Sequence, residues 1–226
     1  MEKDIEIFLW SGLDVPKTPC PYGRNACFVR ATNRVYSDFG SLEHELTHAI
    51  VEELGTPKPF FDEGVAVATE PRFLRFPEIV PSSQIDLPRD EVSYQPGGFF
   101  VRWLLETHGV EKWRSLHSGR GNRAAFQNIY GVSFDAMAEE YLLSAPWVYA
   151  PLLNNPVPSL TESEGGWREI VTLDCAQEDT FGRMDRRSTL RHLEISESGL
   201  FDFWTTADGR RPFVASLSGT ESHIRE

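Results

Sequence analysis

The chain has 226 residues and a formal net charge of −12 at pH 7. Such an acidic protein is a poor partner for a nucleic-acid backbone or an anionic membrane surface, which argues against sequence-independent binding to either. A hydrophobic content of 40% with six tryptophans is enough for a packed core. No stretch approaches the roughly eighteen apolar residues of a membrane span, so none is predicted.

The first predicted elements are two β-strands. Residues 5–10 are an apolar run, and residues 26–36 partly alternate apolar with polar side chains, which predicts one strand in each range. Cys20 and Cys27 bracket a Pro-Tyr-Gly-Arg-Asn loop, a spacing compatible with a hairpin disulfide in an oxidising compartment. Cys175 is left over, either as a buried free thiol or with a partner beyond Glu226.

A helix is predicted over residues 41–53. Its apolar residues recur at spacings of three and four, which predicts a buried stripe formed by Leu42, Leu46, Ala49, Ile50 and Leu54. The start has three candidate caps, Ser37, Asp38 and Ser41. Gly55 stands where a glycine with positive φ ends a helix, and the prolines at 57 and 59 prevent the same helix from resuming.

This helix contains His44-Glu45-Leu46-Thr47-His48, which has the form H-E-x-x-H. Two histidines four residues apart lie on one face of a helix and can bind the same Zn²⁺. Glu45 stands beside them and is suited to accept a proton from a water on the metal. The alternative is a solvated polar face with two incidental histidines.

The third ligand is predicted to be Glu63, in a helix that begins after Pro59. The apolar residues around Glu63 would bury its carboxylate, and a buried carboxylate needs a partner. Alternatively, Asp62 and Glu63 are ordinary acids of a first helical turn. With Glu63 as ligand, Asp62 becomes a cap or a support for a ligand. Glu70 either orients a histidine or is an exposed acid.

The chain from 71 to 97 is predicted to be irregular because five prolines interrupt it, and such a loop can form a cleft wall or a lid. Helices are predicted over 98–106, 110–117, 122–128 and 133–144. His108 and His117 follow helix ends, where a cation is favourable, and are interpreted as structural.

Residues 146–158 contain four prolines and predict a linker. Short β-like runs then occupy 167–174, 189–195, 200–206 and 213–217. The predicted organisation is a first domain at 1–150, a linker at 151–166 and a small β-rich domain at 167–226. The fold class is α+β, with a small N-terminal sheet, a mostly helical body and a small all-β, sandwich-like module.

His44-Glu45-x-x-His48 followed by Glu63-Gly64-Val65-Ala66 resembles the gluzincin metallopeptidases, in particular the small peptidase MA-like domains. The resemblance covers about residues 5–145. It implies that His44, His48 and Glu63 bind zinc and that Glu45 is the general base. It also implies that Tyr94 hydrogen-bonds the oxyanion, although Tyr94 can equally be a core residue.

The chain departs from the thermolysin pattern at Val67, where an aspartate is expected, so that no residue is assigned to orient His44. The resemblance further implies that the strand at 26–36 is a sheet edge along which an extended peptide pairs, and a plain half-buried strand is the alternative. The Gly-x-Met-Glu-Asn run of the related aminopeptidases is absent, which favours an endopeptidase, with an enzyme of other specificity as the alternative.

These observations predict zinc-dependent hydrolysis of peptide bonds in a peptide or protein substrate. One alternative is a non-catalytic module that binds zinc or a protein on the same fold, and the intact Glu45 argues against it. Another is a zinc that only joins two helices, but such sites usually have four protein ligands, often cysteines, and none is near. The composition is typical of secreted metallopeptidases and favours a secreted or cell-envelope location in a bacterium, although residues 1–4 begin no signal peptide. A cytoplasmic location stays open.

Overall fold

The structure is a computed structural model that describes residues 4–10, 20, 26–152, 158–163, 166–167, 169, 180–183, 186–189, 191 and 193. The chain forms two compact units, Met1–Leu152 and Leu153–Glu226. The described part of the first unit contains a small sheet and six α-helices, which confirms the α+β class in its coarse form.

Three strands form the N-terminal sheet in the order β1-β3-β2. β1 (Glu6–Trp10) runs parallel to β3 (Arg34–Asp38), and β2 (Cys27–Val29) runs antiparallel to β3. The prediction of one strand at 26–36 is therefore wrong. The chain reverses in a 3-10 turn, Arg30–Thr32, and at Asn33, whose φ of 53° places it in the left-handed region that asparagine tolerates.

The reversal also changes which strand lies at the edge. β3 is central, and β2 is an edge strand of the described sheet. The predicted bridge between Cys20 and Cys27 is present, with a Cα–Cα distance of 5.5 Å, and it ties the start of β2 to the preceding chain.

Helix α1 (Leu42–Val51) continues into a 3-10 turn, Glu52–Leu54, which ends at Gly55 with a φ of +134°. The Asp38 side chain accepts hydrogen bonds from the backbone N–H groups of Gly40 and Ser41, whereas the Ser41 side chain makes no capping bond. The predicted apolar stripe is only partly correct. Ile50 is 67% exposed, and the buried residues of α1 include the polar pair Glu45 and His48.

Helix α2 (Pro59–Thr69) begins at Pro59 as predicted, and α3 (Tyr94–His108) packs closely against it. The α2–α3 contact depends on glycines, because a Cβ at Gly64 would lie 2.8 Å from the carbonyl oxygen of Gly97. α3 begins four residues before the predicted start at 98. Proline is compatible with a first helical turn, so the Pro-Gly-Gly run lies inside α3.

The remaining helices are α4 (Val110–Ser118), α5 (Arg123–Tyr130) and α6 (Phe134–Ser144), close to their predicted bounds. The side chains of Asn122 and Ser133 cap α5 and α6 by accepting backbone hydrogen bonds. Helices α2, α3, α5 and α6 contribute to one aromatic cluster, formed by Phe60, Phe61, Phe100, Phe126, Phe134 and Tyr141.

The loop after α2 is more ordered than predicted. β4 (Leu74–Arg75) pairs with β5 (Val148–Tyr149) in an antiparallel ribbon, and a 3-10 turn, Pro81–Ser83, follows β4. The proline-rich stretch that begins at residue 146 first contributes β5 to the first unit, where Tyr149 packs on Phe99. Within the described residues, no helix has the length and apolarity that crossing a membrane requires.

In the second unit the structure describes two antiparallel hairpins. β6 (Glu162–Ser163) pairs with β7 (Gly166–Trp167), and β8 (Thr180–Arg183) pairs with β9 (Arg186–Thr189). The β8–β9 hairpin was not predicted. The strands predicted at 200–206 and 213–217, most of those at 167–174 and 189–195, and Cys175 lie outside the described residues.

Candidate metal centre

Three side chains predicted as ligands meet where α1 and α2 pack together. His44 and His48 lie one turn apart on α1, and Glu63 comes from the first half of α2. The two Nε2 atoms of the histidines are 3.3 Å apart. Glu63 Oε2 lies 3.2 Å from Nε2 of His44 and 3.5 Å from Nε2 of His48. Tertiary packing thus forms a nearly equilateral triangle of donor atoms.

The dimensions of this triangle fit a tetrahedral metal ion. In a regular tetrahedron with bonds of roughly 2.0–2.1 Å, the ligand atoms are about 3.3–3.4 Å apart. The three observed separations, 3.2, 3.3 and 3.5 Å, bracket that value. Two imidazoles and one carboxylate therefore suit a divalent ion with a fourth position for water.

The Nδ1 atom of His44 is held by Glu70. Glu70 Oε1 lies 2.9 Å from Nδ1, and its other oxygen pairs with Arg72 at 2.6 Å. Burial opposes the charged form of His44, but the hydrogen bonds of Glu63 and Glu70 outweigh it and raise the pKa of His44. When the neutral imidazole donates a hydrogen bond from Nδ1–H to Glu70, the lone pair of Nε2 is directed away from Glu70.

His48 has a corresponding partner in Asp62, whose Oδ1 lies 3.4 Å from Nδ1. Arg30 approaches the other oxygen, Oδ2, at 3.3 Å. Arg89 also binds Oδ2 of Asp62, and with its second terminal nitrogen it binds Oε1 of Glu63. Both carboxylates are only 2% exposed, so these cations offset the cost of burying two neighbouring negative charges.

Charge interactions favour ionised side chains throughout the group. Burial would lower the pKa of His48, but Asp62 and Glu63 raise it to about 9. Burial would raise the pKa of Asp62, but His48 and Arg89 lower it to about 2. The pKa of Glu63 is likewise held well below its usual range, against burial, by His44, His48 and Arg89. A metal ion that binds here must therefore displace protons from the imidazoles.

Glu45, the predicted general base, is buried on α1 beside the histidines. Burial raises the pKa of its carboxyl, and the nearby His48 and His44 offset part of that shift. The backbone N–H of Phe28, in the edge strand β2, donates a hydrogen bond to the carboxylate and also lowers its pKa. Glu45 thus lies between the histidine pair and the sheet edge.

Tyr94 also lies at this centre. Its ring stacks on the ring of His44, with centroids 6.0 Å apart and an interplanar angle of 11°. As the first residue of α3 it is partly buried and packs against the hydrophobic core. Its position beside a ligand is compatible with both predicted roles, as a donor to the oxyanion and as a packing residue.

His108 and His117, which were predicted to be structural residues and not ligands, lie outside the donor triangle. Burial, however, opposes a cation at either position. Burial lowers the pKa of His108, and it lowers the pKa of His117 to about 4, so both are neutral near pH 7. Among the described residues, His44, His48 and Glu63 are the group whose donor atoms lie within 4.8 Å of one another.

Arg30 and Arg89 were not predicted from the sequence, and the role of Glu70 was left with two alternatives. A signal for Glu70 exists, because a spacing of seven residues from Glu63 equals two helical turns and places both on one face. Arg89 had no comparable signal, since it lies 26 residues after Glu63, in a region predicted to be irregular. Arg30 was not predicted because residues 26–36 were assigned to a single strand, whereas Arg30 lies in the turn between β2 and β3.

No family model, curated protein or solved structure matches the chain. The resemblance to the gluzincins therefore depends on the motif residues themselves.

Proposed function

We propose that this protein is a zinc-dependent peptidase of the gluzincin type, most simply an endopeptidase. The observation that carries the proposal is the triangle of His44 Nε2, His48 Nε2 and Glu63 Oε2, with separations of 3.2–3.5 Å. Glu45 adjoins the triangle in the order that H-E-x-x-H peptidases require, and a single acid on the following helix supplies the third ligand.

The donor set favours zinc over harder divalent ions. Imidazole nitrogens suit zinc, copper, iron and nickel, whereas magnesium and calcium prefer sites made of oxygen atoms. When bound, such an ion supplies Lewis acidity, which makes water a stronger nucleophile and polarises a carbonyl group. His44, His48 and Glu63 would hold the ion, and Glu70 and Asp62 would orient the two histidines.

The protein's own residues supply the proton transfers. Glu45 accepts the proton of the attacking water and delivers it to the nitrogen of the leaving amine, so its carboxylate is regenerated after each turnover. The Phe28 N–H orients this carboxylate from β2. Tyr94, stacked on His44, donates its hydroxyl proton in a hydrogen bond to the oxygen that becomes negatively charged.

An extended peptide is the substrate that the surroundings favour. β2 is an edge strand of the described sheet and contacts α1, so its outer backbone groups can pair with a peptide that lies across Glu45. The Cys20–Cys27 bridge supports a further part of the proposal, namely that the protein works in an oxidising compartment, as a secreted or cell-envelope protein.

The test is digestion of a broad peptide library by the parent protein and by Glu45→Gln, with and without a chelator. We expect the parent to cleave, the chelator to stop cleavage, and Glu45→Gln to lower turnover by about 10²–10⁴-fold while elemental analysis finds zinc retained. Hydrolysis by Glu45→Gln at the parent rate would exclude this mechanism. Zinc retention by a parent protein that cleaves nothing would support a non-catalytic module.

A further inference from the structure

Arg89 binds the metal centre from outside the two helices that build it. One terminal nitrogen of its guanidinium contacts Oε1 of Glu63, and the other contacts Oδ2 of Asp62. One planar group therefore spans two consecutive residues of α2. Arginine is suited to this, because its donors form a rigid fork.

The oxygens that Arg89 binds are the ones that the histidines leave free. Glu63 directs Oε2 toward both imidazoles and gives Oε1 to Arg89. Asp62 has Oδ1 at an ion-pair distance of 3.4 Å from Nδ1 of His48, and its Oδ2 accepts from Arg89 and from Arg30. In each carboxylate, Arg89 thus binds one oxygen atom, and the other oxygen atom lies near a histidine ring.

We propose that Arg89 is a positioning residue for the metal site. It restricts Glu63 to a single donor oxygen and holds Asp62 against His48, so one side chain sets the geometry of one ligand and supports a second. The inference deepens the proposed function and rests on the metal binding that the function requires.

A well-anchored turn delivers Arg89 to this position. The backbone N–H groups of Glu91 and Val92 both donate to the carbonyl oxygen of Pro88, at 3.0 Å each. Val92 is buried, and so is Ile85 on the other side of the turn. The side chain of Arg89 is itself 41% exposed, so a substitution there leaves no cavity in the core.

Electrostatics and positioning predict opposite effects for the loss of this side chain. Arg89 is a cation close to the site of a second cation, and removal of its charge should by Coulomb's law alone strengthen metal binding. Loss of a group that orients ligands should weaken it, typically by about 10–100-fold. The sign of the change therefore distinguishes a positioning role from a purely electrostatic one.

The experiment measures the Zn²⁺ dissociation constant by competition with a chromophoric chelator for the parent, Arg89→Lys and Arg89→Gln. Arg89→Lys keeps the charge and removes the fork, whereas Arg89→Gln removes both. We expect both variants to bind zinc about 10–100-fold more weakly. Arg114→Lys is the matched control, because Arg114 makes an ordinary exposed pair with Glu111 and its replacement should leave the constant unchanged.

A second measurement reports on geometry without reference to activity. In the Co²⁺-substituted protein, four-coordinate sites absorb visible light more strongly than five-coordinate ones. A Glu63 released by Arg89→Lys can bind through both oxygens, so we expect the absorption to weaken. Thermal melts of the metal-free proteins check that each variant is folded.

Several outcomes would overturn the inference. An Arg89→Lys protein that binds zinc like the parent and keeps its cobalt spectrum shows that only the charge matters. An Arg89→Gln protein that binds zinc more tightly shows that repulsion dominates. If the parent binds zinc but cleaves no peptide, the proposed function fails while the effect of Arg89 on affinity still stands. If the parent binds no zinc, both fail.

Discussion

Helix α2 places consecutive residues in two different environments. Phe60 and Phe61 enter the aromatic cluster, where neighbouring rings lie 5.1–6.3 Å apart. Asp62 and Glu63 enter a network of histidines and arginines, and all four side chains are almost fully buried. The first environment is held by contacts without strong directional preference, and the second by directed hydrogen bonds between charges.

The difference indicates that stability and site geometry depend on separate parts of one helix. Burial of large aromatic side chains dominates the free energy of folding. A buried network of charges contributes little net stability, because desolvation offsets much of the attraction, but it defines orientation. Substitutions in the aromatic cluster should therefore change unfolding, and substitutions in the charged network should change metal binding.

The largest effect is expected for Phe100→Ala on α3. Phe100 is fully buried in the aromatic cluster, so its truncation should lower the free energy of unfolding by about 3–5 kcal/mol. Urea unfolding measures this change, and the folded variant should still bind one zinc. Leu143→Ala is the control, because Leu143 is 90% exposed and its change should stay within about 0.5 kcal/mol. Loss of zinc from the folded Phe100→Ala protein would contradict the conclusion that stability and site geometry depend on separate parts of α2.

Next in size is His48→Ala, which removes one of three protein ligands. Structural zinc sites bind with roughly 10–16 kcal/mol over four ligands, so one ligand corresponds to about 2.5–4 kcal/mol, or roughly 70- to 900-fold in affinity. Chelator competition measures the loss. His108→Ala, on α3 but outside the donor triangle, serves as the control and should keep the parent affinity.

A smaller effect is expected for Glu70→Gln, which keeps the shape of the side chain but removes the charge that orients His44. Zinc affinity should fall by about 10–100-fold. The control is Glu43→Gln, which removes the same charge from an exposed position on α1. Equal effects of the two substitutions would mean that Glu70 acts through its charge alone.

The smallest change in zinc affinity is expected for a shift of one pH unit. In the metal-free protein the pKa of His48 is raised from 6.5 to about 9, so its stabilising contribution is present below pH 6.5 and is lost as the pH rises through 9. Over the same window zinc has fewer protons to displace, and its affinity should rise about tenfold per pH unit for each proton. Zinc titrations in two buffers of different ionisation enthalpy count the released protons. A zinc affinity that does not change between pH 6.5 and 9 would contradict the protonation of His48 over this range.

The elements predicted correctly depend on local patterns. Pro59 at the start of α2, Gly55 after α1 and the apolar runs of the later helices are determined by a residue and its near neighbours. The errors arose where a local pattern was ambiguous. The alternation at 26–36 fits one long strand as well as two short ones, and Asn33 marks the reversal only through its left-handed conformation.

The three candidate metal ligands were accessible from the sequence for the same reason. His44 and His48 are a helical turn apart, and Glu63 follows in the next helix, so only one packing contact had to be inferred. The side chains that orient them depend on longer-range contacts. Arg89 reaches the site because its turn is anchored against the core by Ile85 and Val92, and no periodicity in the chain encodes that approach.

The amino-acid sequence by itself determined the α+β class, the histidine pair on one helical face and the glutamate between them, because each depends on spacing along a few residues. The tertiary structure alone decided that both Nδ1 atoms meet carboxylates, and that one arginine holds Asp62 and Glu63 together. Hydrogen bonds between distant segments have specific distances and directions, and only the packing of helices and turns brings their atoms within reach.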